Sequence, residues 1–507
     1  MPTMDNTQPG NLSLLGDRRL PSIPGHGVVA APLWLVAGVH FCAFGLWFCW
    51  ALIVVQLHHV GAGLSFLELF SLLAVGGLGA GCVGITLGYG VPPGAERPML
   101  GWCLLTLLIP ALGLCWVLGQ PDTSLWQLQS LALLSGAGAG GSSVLVQRMG
   151  SRGDEDQTSL LTAVGHWGIV VGFLVLPILL VLPLYGQGAV SSLWSSHFFG
   201  RLAPGTALWL SWSGAFWGGL IALVIVFWLA RQCRADLRAF GASAPRIGSA
   251  FLAGLAIAVL GAWIVLPATA GGSGISPPKE LLLLAIAASA LLYTGIHRRT
   301  GSENAFSQFR HSDTWALSLL WVMSQGSFLG FAAAFPLTVE RLFVGSAAPG
   351  YPGVFIYAWM LPLLGILVRP LGTWGAARWG GALTTQMCAV ILVLAAAGAA
   401  YWIGRAQVSA QPSLYFSGFM VAFALLFVAA GVAQSALASA VKVSVSRQAG
   451  VWLSAVAAFG VFYIPLTLAE KLERGEGVQA MAGFAVFYAL CAVVNGWLYV
   501  RRPRPEL

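Results

Sequence analysis

Fourteen apolar runs follow one another along the chain, at about 31–57, 66–90, 99–119, 126–147, 159–184, 207–230, 250–270, 281–296, 315–337, 354–377, 383–403, 413–441, 450–470 and 479–500. A helix that crosses a bilayer needs about 20 such residues. Most of the runs meet that length, and only short polar segments separate them. Of the 507 residues, 58% are hydrophobic and 8% are charged, against about 25% charged in a soluble domain. Too few polar side chains remain to cover a soluble surface. The pattern excludes a soluble enzyme, a disordered protein and a nucleic-acid-binding domain. The formal charge of +8 does not change this, because the basic residues are spread over short loops rather than clustered on one face. The expected class is an all-α polytopic membrane protein.

The first 30 residues are polar and hold Arg18 and Arg19. The apolar run after them is too long for the core of a cleavable signal, so 1–30 reads as a tail before the first span. Seven of eight cysteines lie inside apolar runs, and Cys233 sits in a basic stretch. No spacing suggests a disulfide framework, a metal site or a cofactor.

Basic residues set the orientation. With the N-terminus cytoplasmic, eighteen Lys and Arg fall in inner segments, six in outer loops, and Arg369 inside a helix. This bias puts both termini on the cytoplasmic side and fits an even number of spans. The expected location is the inner membrane of a bacterial cell. Six spans (31–230), a basic loop with a hairpin (231–314), six more spans (315–500) and a short tail (501–507) give the plan of a duplicated transporter. Such folds hold substrate near the membrane midplane, between two halves.

Arg369 stands out, because it lies deep in the run GILVRPLGTWG. An arginine at a helix centre costs about 2.5–3.5 kcal/mol on insertion scales, and such residues line substrate paths. The planar guanidinium matches a planar oxyanion, since its donor fork reaches two oxygens at once. The competing reading is snorkelling, but Arg378 at the membrane edge is nine residues away, or roughly 13 Å along a helix. His40 and His166 are the other buried titratable candidates; a hydrogen-bonded packing role competes with a functional one for each. Glu68 reads as a solvated interface residue. Trp321 and Gln325 are four apart and share a helix face, where they could flank a flat anion or simply pack. The glycines of GAGAGG (136–141) and Gly218–Gly219 suit close helix contact; no phosphate-loop lysine follows them.

Two stretches resemble the nitrate/nitrite porters (NarK-like) of the major facilitator superfamily. One runs from Thr314 and Trp321 through Gly326-Ser327-Phe328-Leu-Gly330-Phe331 to Phe335-Pro336. The other runs from Leu361 through Gly365 and Arg369-Pro370-Leu-Gly372 to Arg378-Trp-Gly380-Gly381. The resemblance implies twelve core helices, here with a two-helix central insert. It also implies rocker-type alternating access for nitrate and nitrite, with one arginine from each half on the anion. Arg369 matches the second-half arginine. The first-half position falls on Gly84, and the expected Tyr and Phe of the seventh core helix are Trp321 and Gln325. The signature asparagine motifs become Gly165-His166-Trp167-Gly168 and Ala433-Gln434-Ser435, and the loop Asp becomes Ala377.

The expected function is secondary transport of a small inorganic anion, nitrate or nitrite, with Arg369, Trp321, Gln325, His166 and Gln434 at the substrate and protons as a candidate coupling ion. The lipid bilayer is the surrounding partner; no nucleic acid is expected. Two alternatives stand beside it: a proton-coupled permease for another small solute, and a non-transporting membrane sensor or assembly protein on a porter scaffold.

Overall fold

The computed structural model describes residues 32–501, except 93, 121–122, 151–154, 182–189, 192–195, 199, 203–206, 232–233, 268–278, 298–308, 310–311, 345–353 and 445–446. The tail at 1–30, Arg152, Arg298, Arg299, Arg310 and the last residues from 502 lie outside the described residues.

Fourteen long helices follow in order. They are α1 (Leu33–His59), α2 (Phe66–Gly90), α3 (Glu96–Val117), α4 (Leu125–Gly150), α5 (Glu155–Val181) and α6 (Trp212–Ala230); α7 (Arg234–Val265) and α8 (Lys279–His297); then α9 (Ser312–Phe343), α10 (Val354–Trp379), α11 (Gly381–Val408), α12 (Phe416–Ser444), α13 (Arg447–Glu473) and α14 (Gly477–Val500). In hydrocarbon every backbone polar group must be satisfied internally, and a helix does this within one segment. Twelve of the described helices are long and apolar enough to cross a membrane. Of the remaining two, α4 carries Gln127, Gln129, Gln147 and Arg148, and the apolar stretch of α8 is confined to Leu283–Gly295. The arrangement is six core helices, a two-helix insert and six core helices.

One boundary differs from the sequence expectation. The stretch 231–246 reads as a basic loop, yet α7 begins at Arg234 and continues through Pro245. Four alanines between 235 and 244 favour helix there, and Arg234, Arg238 and Arg246 lie on the helix rather than before it.

Small residues decide how α2 is packed. A Cβ on Gly136 would fall 1.9 Å from the Gly76 carbonyl oxygen, and one on Gly140 would fall 2.2 Å from that of Ala80. Residues four apart on α4 thus rest on residues four apart on α2, the small-xxx-small contact of membrane helices. Another stripe of α2 meets α13 of the opposite half. Gly77 faces the backbone of Val461 and Phe462, Gly81 the Phe459 ring, Gly84 the Ala455 side chain and Gly88 Val451. A third face takes the insert, where Gly254 of α7 lies against Val83 and Thr86. No bulky residue fits any of these seams. α2 is therefore shared between its own half, the other half and the insert.

Candidate functional site

The candidate anion-binding cation, Arg369, is held by α10 and α12. Helix α10 is interrupted at Val368, between Met360–Leu367 and Arg369–Trp379. Pro370, with no backbone N–H to give, stands directly after Arg369. The two helices touch through backbone: a Cβ on Gly431 would fall 2.1 Å from the Gly365 oxygen, and one on Gly372 2.2 Å from the Val432 oxygen. This closeness lets the Arg369 guanidinium donate to Gln434 Oε1. On the same turn of α12, the Ser435 hydroxyl donates to the Arg369 carbonyl at 2.7 Å. Arg369 Nε has no protein partner.

His166 of α5 comes from the other half. It is fully buried, and neither ring nitrogen has a hydrogen-bond partner. Its ring lies 4.8 Å from Phe328 and 5.8 Å from Phe44, centroid to centroid. A buried polar ring without partners is costly, so this constellation is poised for a ligand that accepts hydrogen bonds.

Gln325 lies on a π-helical turn, Val322–Gly326, inside α9. Such turns recur at functional sites. Gln325 lines a narrow cavity between the halves, together with Phe44, Trp47, Gly84, Ser143 and Ser454. Gly84 is in this lining, but a Cβ there would sit 3.2 Å from the Ala455 Cβ. An arginine at 84 would have to part α2 from α13. Trp321 begins the same π turn; it is buried, and its indole N–H has no partner. No described contact joins it to Arg369.

Two other residues take the plainer of their sequence readings. His40 Nδ1 shares a 2.9 Å hydrogen bond with Ser142 Oγ, and its ring fills the notch left by Gly165. Glu68 caps α2, with its carboxylate accepting from the Ser65 N–H at 2.7 Å. Phe44 and Phe328, which flank His166, escape a sequence reading because a phenylalanine in an apolar run carries no mark. The same holds for His59 and Glu340, which meet at the end of the bundle remote from Arg148 and Arg378. The halves touch on both sides of the cavity, through Gly88 and Val451 on one side and His59 and Glu340 on the other.

Over 486 residues the chain is 26% identical to the probable nitrate/nitrite antiporter NarK2 of Thermus thermophilus, covering 93% of this chain and 92% of that one. The nitrate/nitrite transporters NarU of Salmonella typhimurium and Escherichia coli are 23% and 22% identical, over 95% and 94% of this chain and 94% and 93% of theirs. The chain is thus similar over nearly its whole length to proteins named as nitrate/nitrite transporters. No protein-family model matches it. Among solved structures, a POT family transporter in complex with 5-aminolevulinic acid has a TM-score of 0.56 at 13% identity, covering 93% of this chain and 96% of that one. The nucleoside transporter NupG has a TM-score of 0.54 at 12% identity, over 92% and 98%. These likenesses show that the chain shares the fold of these transporters. The chain is a multi-pass membrane protein whose relatives and structural neighbours are transporters, not enzymes.

Proposed function

We propose that this chain is a secondary transporter of a small inorganic anion, nitrate or nitrite, and that it works by alternating access. The observation that carries the reading is the Arg369 guanidinium, tied to Gln434 in one half, while the other half buries the partnerless imidazole of His166. Gln434 engages one terminal nitrogen, and the remaining N–H groups of the fork suit two oxygens of a planar anion. His166 supplies a donor from the first half, the role that Gly84 cannot fill. Phe328 and Phe44 pack against the imidazole; Gln325, which lines the cavity between the halves, and Trp321, next to the same π turn, are assigned to the anion's surroundings. Nitrate and nitrite come to this chain from the names of its relatives and from that chemistry.

The halves are 31–230 and 315–500, joined by the segment 231–314, and all fourteen helices span the membrane. Both termini face the cytoplasm of a bacterial cell, as the Lys and Arg bias supports. Uptake of labelled nitrate and nitrite by purified protein in proteoliposomes tests the substrate. A second reading, transport of a different small solute, is favoured by the absence of a first-half arginine at Gly84. It predicts no nitrate or nitrite flux from folded protein whose Arg369 variants still lose another activity.

A further inference from the structure

His59 ends α1 and Glu340 lies near the end of α9. Their side chains form a 2.8 Å pair, Nε2 to Oε1, and each residue is only 3% exposed. They are 281 residues apart. The pair joins the first helix of one half to the first helix of the other. Nothing in substrate binding at Arg369 uses it.

The rest of each group is unsatisfied. His59 Nδ1, Glu340 Oε2 and Gln56 Oε1, one turn before His59, are buried with no partner. Water would satisfy all three if the halves parted here. The neighbouring charged and titratable groups are few. His58 packs its ring on Phe66 at 4.7 Å, and the Arg341 guanidinium lies 5.1 Å over the same ring. Glu68 is engaged in its own cap, and Arg405 of α11 lies over Tyr415. His59 itself packs edge-on to Phe355.

We propose that His59 and Glu340 form a proton-binding latch that holds the far ends of the two halves together. The ligand is a proton, carried on the His59 imidazole opposite the Glu340 carboxylate. With it the buried pair has no net charge. Without it a carboxylate stands buried beside a neutral ring, and an uncompensated buried charge strongly disfavours closure. Closing therefore takes up a proton, and by linkage acid favours the latched form and alkali the open one. The latch rests on the reading of this chain as an alternating-access transporter but not on its substrate.

The test needs no substrate. Spin labels on Leu64→Cys and Leu342→Cys, in full-length protein with the native cysteines replaced, report the separation of the far ends. The short distance should dominate at pH 6. The long one should grow toward pH 9, by at most about tenfold per pH unit for one linked proton. Glu340→Gln and His59→Gln should each raise the open fraction at pH 6 by about tenfold or more and flatten the titration. The exchanged pair, His59→Glu with Glu340→His, should restore both closure and pH dependence. The titration of the unaltered pair requires no latch variant to fold. A distance that does not move with pH, or that Glu340→Gln leaves short and titrating, overturns the latch. Failure of nitrate uptake would leave this distance measurement standing.

Discussion

The Arg369 guanidinium donates to the side-chain carbonyl of Gln434, and the next residue, Ser435, donates back to the Arg369 carbonyl. One half-buried cation is thereby fixed to a neighbouring helix without being neutralised. A carboxylate in place of the amide would cancel the charge that an anion needs.

Arg369→Lys keeps the charge and loses the fork. Hydrogen bonds to charged groups contribute about 1.5–3 kcal/mol each, so anion affinity should fall roughly 10- to 150-fold. Gln434→Ala should cost less, because it frees one N–H while leaving the cation in place. Gln434→Glu should abolish anion binding by pairing with Arg369. Equilibrium binding of nitrate to the purified variants checks the order.

His166 has two buried ring nitrogens and no partner. His166→Ala should raise the KM for anion uptake by about tenfold, the worth of one donor. His166→Asn, the residue type of the signature motif in the resembling family, should keep most of the flux. Equal flux in all three proteins would remove His166 from the site.

Two glycines in different seams of α2 should behave differently. Gly136 meets the Gly76 backbone within the first half, whereas Gly77 meets the Phe462 backbone across the halves. Overpacking costs about 1–3 kcal/mol. Gly136→Ala should therefore lower the melting temperature in detergent. Gly77→Ala should instead favour parted halves, seen as faster labelling of a cysteine placed at Ser143 in the cavity, with little change in melting.

Between α13 and α14, the hydrogen bond from Lys471 to Glu476, at 2.6 Å, holds the exposed Glu476 carboxyl below the usual carboxylate range. A depressed carboxyl stabilises the fold above its unfolded-state value and loses that contribution as pH falls through its folded one. Glu476→Gln should lower the melting temperature slightly at pH 7, as expected of an exposed pair, and not at all in strong acid.

The fold was legible because long apolar runs admit few architectures, and Arg369 because a charge in such a run is conspicuous. Glycines at 77, 81, 84 and 88 are visible as a small-residue stripe, but nothing local says that α13 covers it. The insert helix starts early because alanines carry it through a basic segment that looks like a loop. His59 and Glu340 each look like an ordinary polar residue at a helix end. Only folding brings together side chains 281 residues apart.

The most direct measurement is nitrate and nitrite flux in proteoliposomes, with the wild-type chain and Arg369→Ala side by side and equal amounts of folded protein. Saturable flux in the wild type and its loss in Arg369→Ala is the expected result. Wild-type flux in Arg369→Ala would contradict the assignment of Arg369 as the anion's anchor. No flux of either anion through the folded wild-type protein would contradict the substrate.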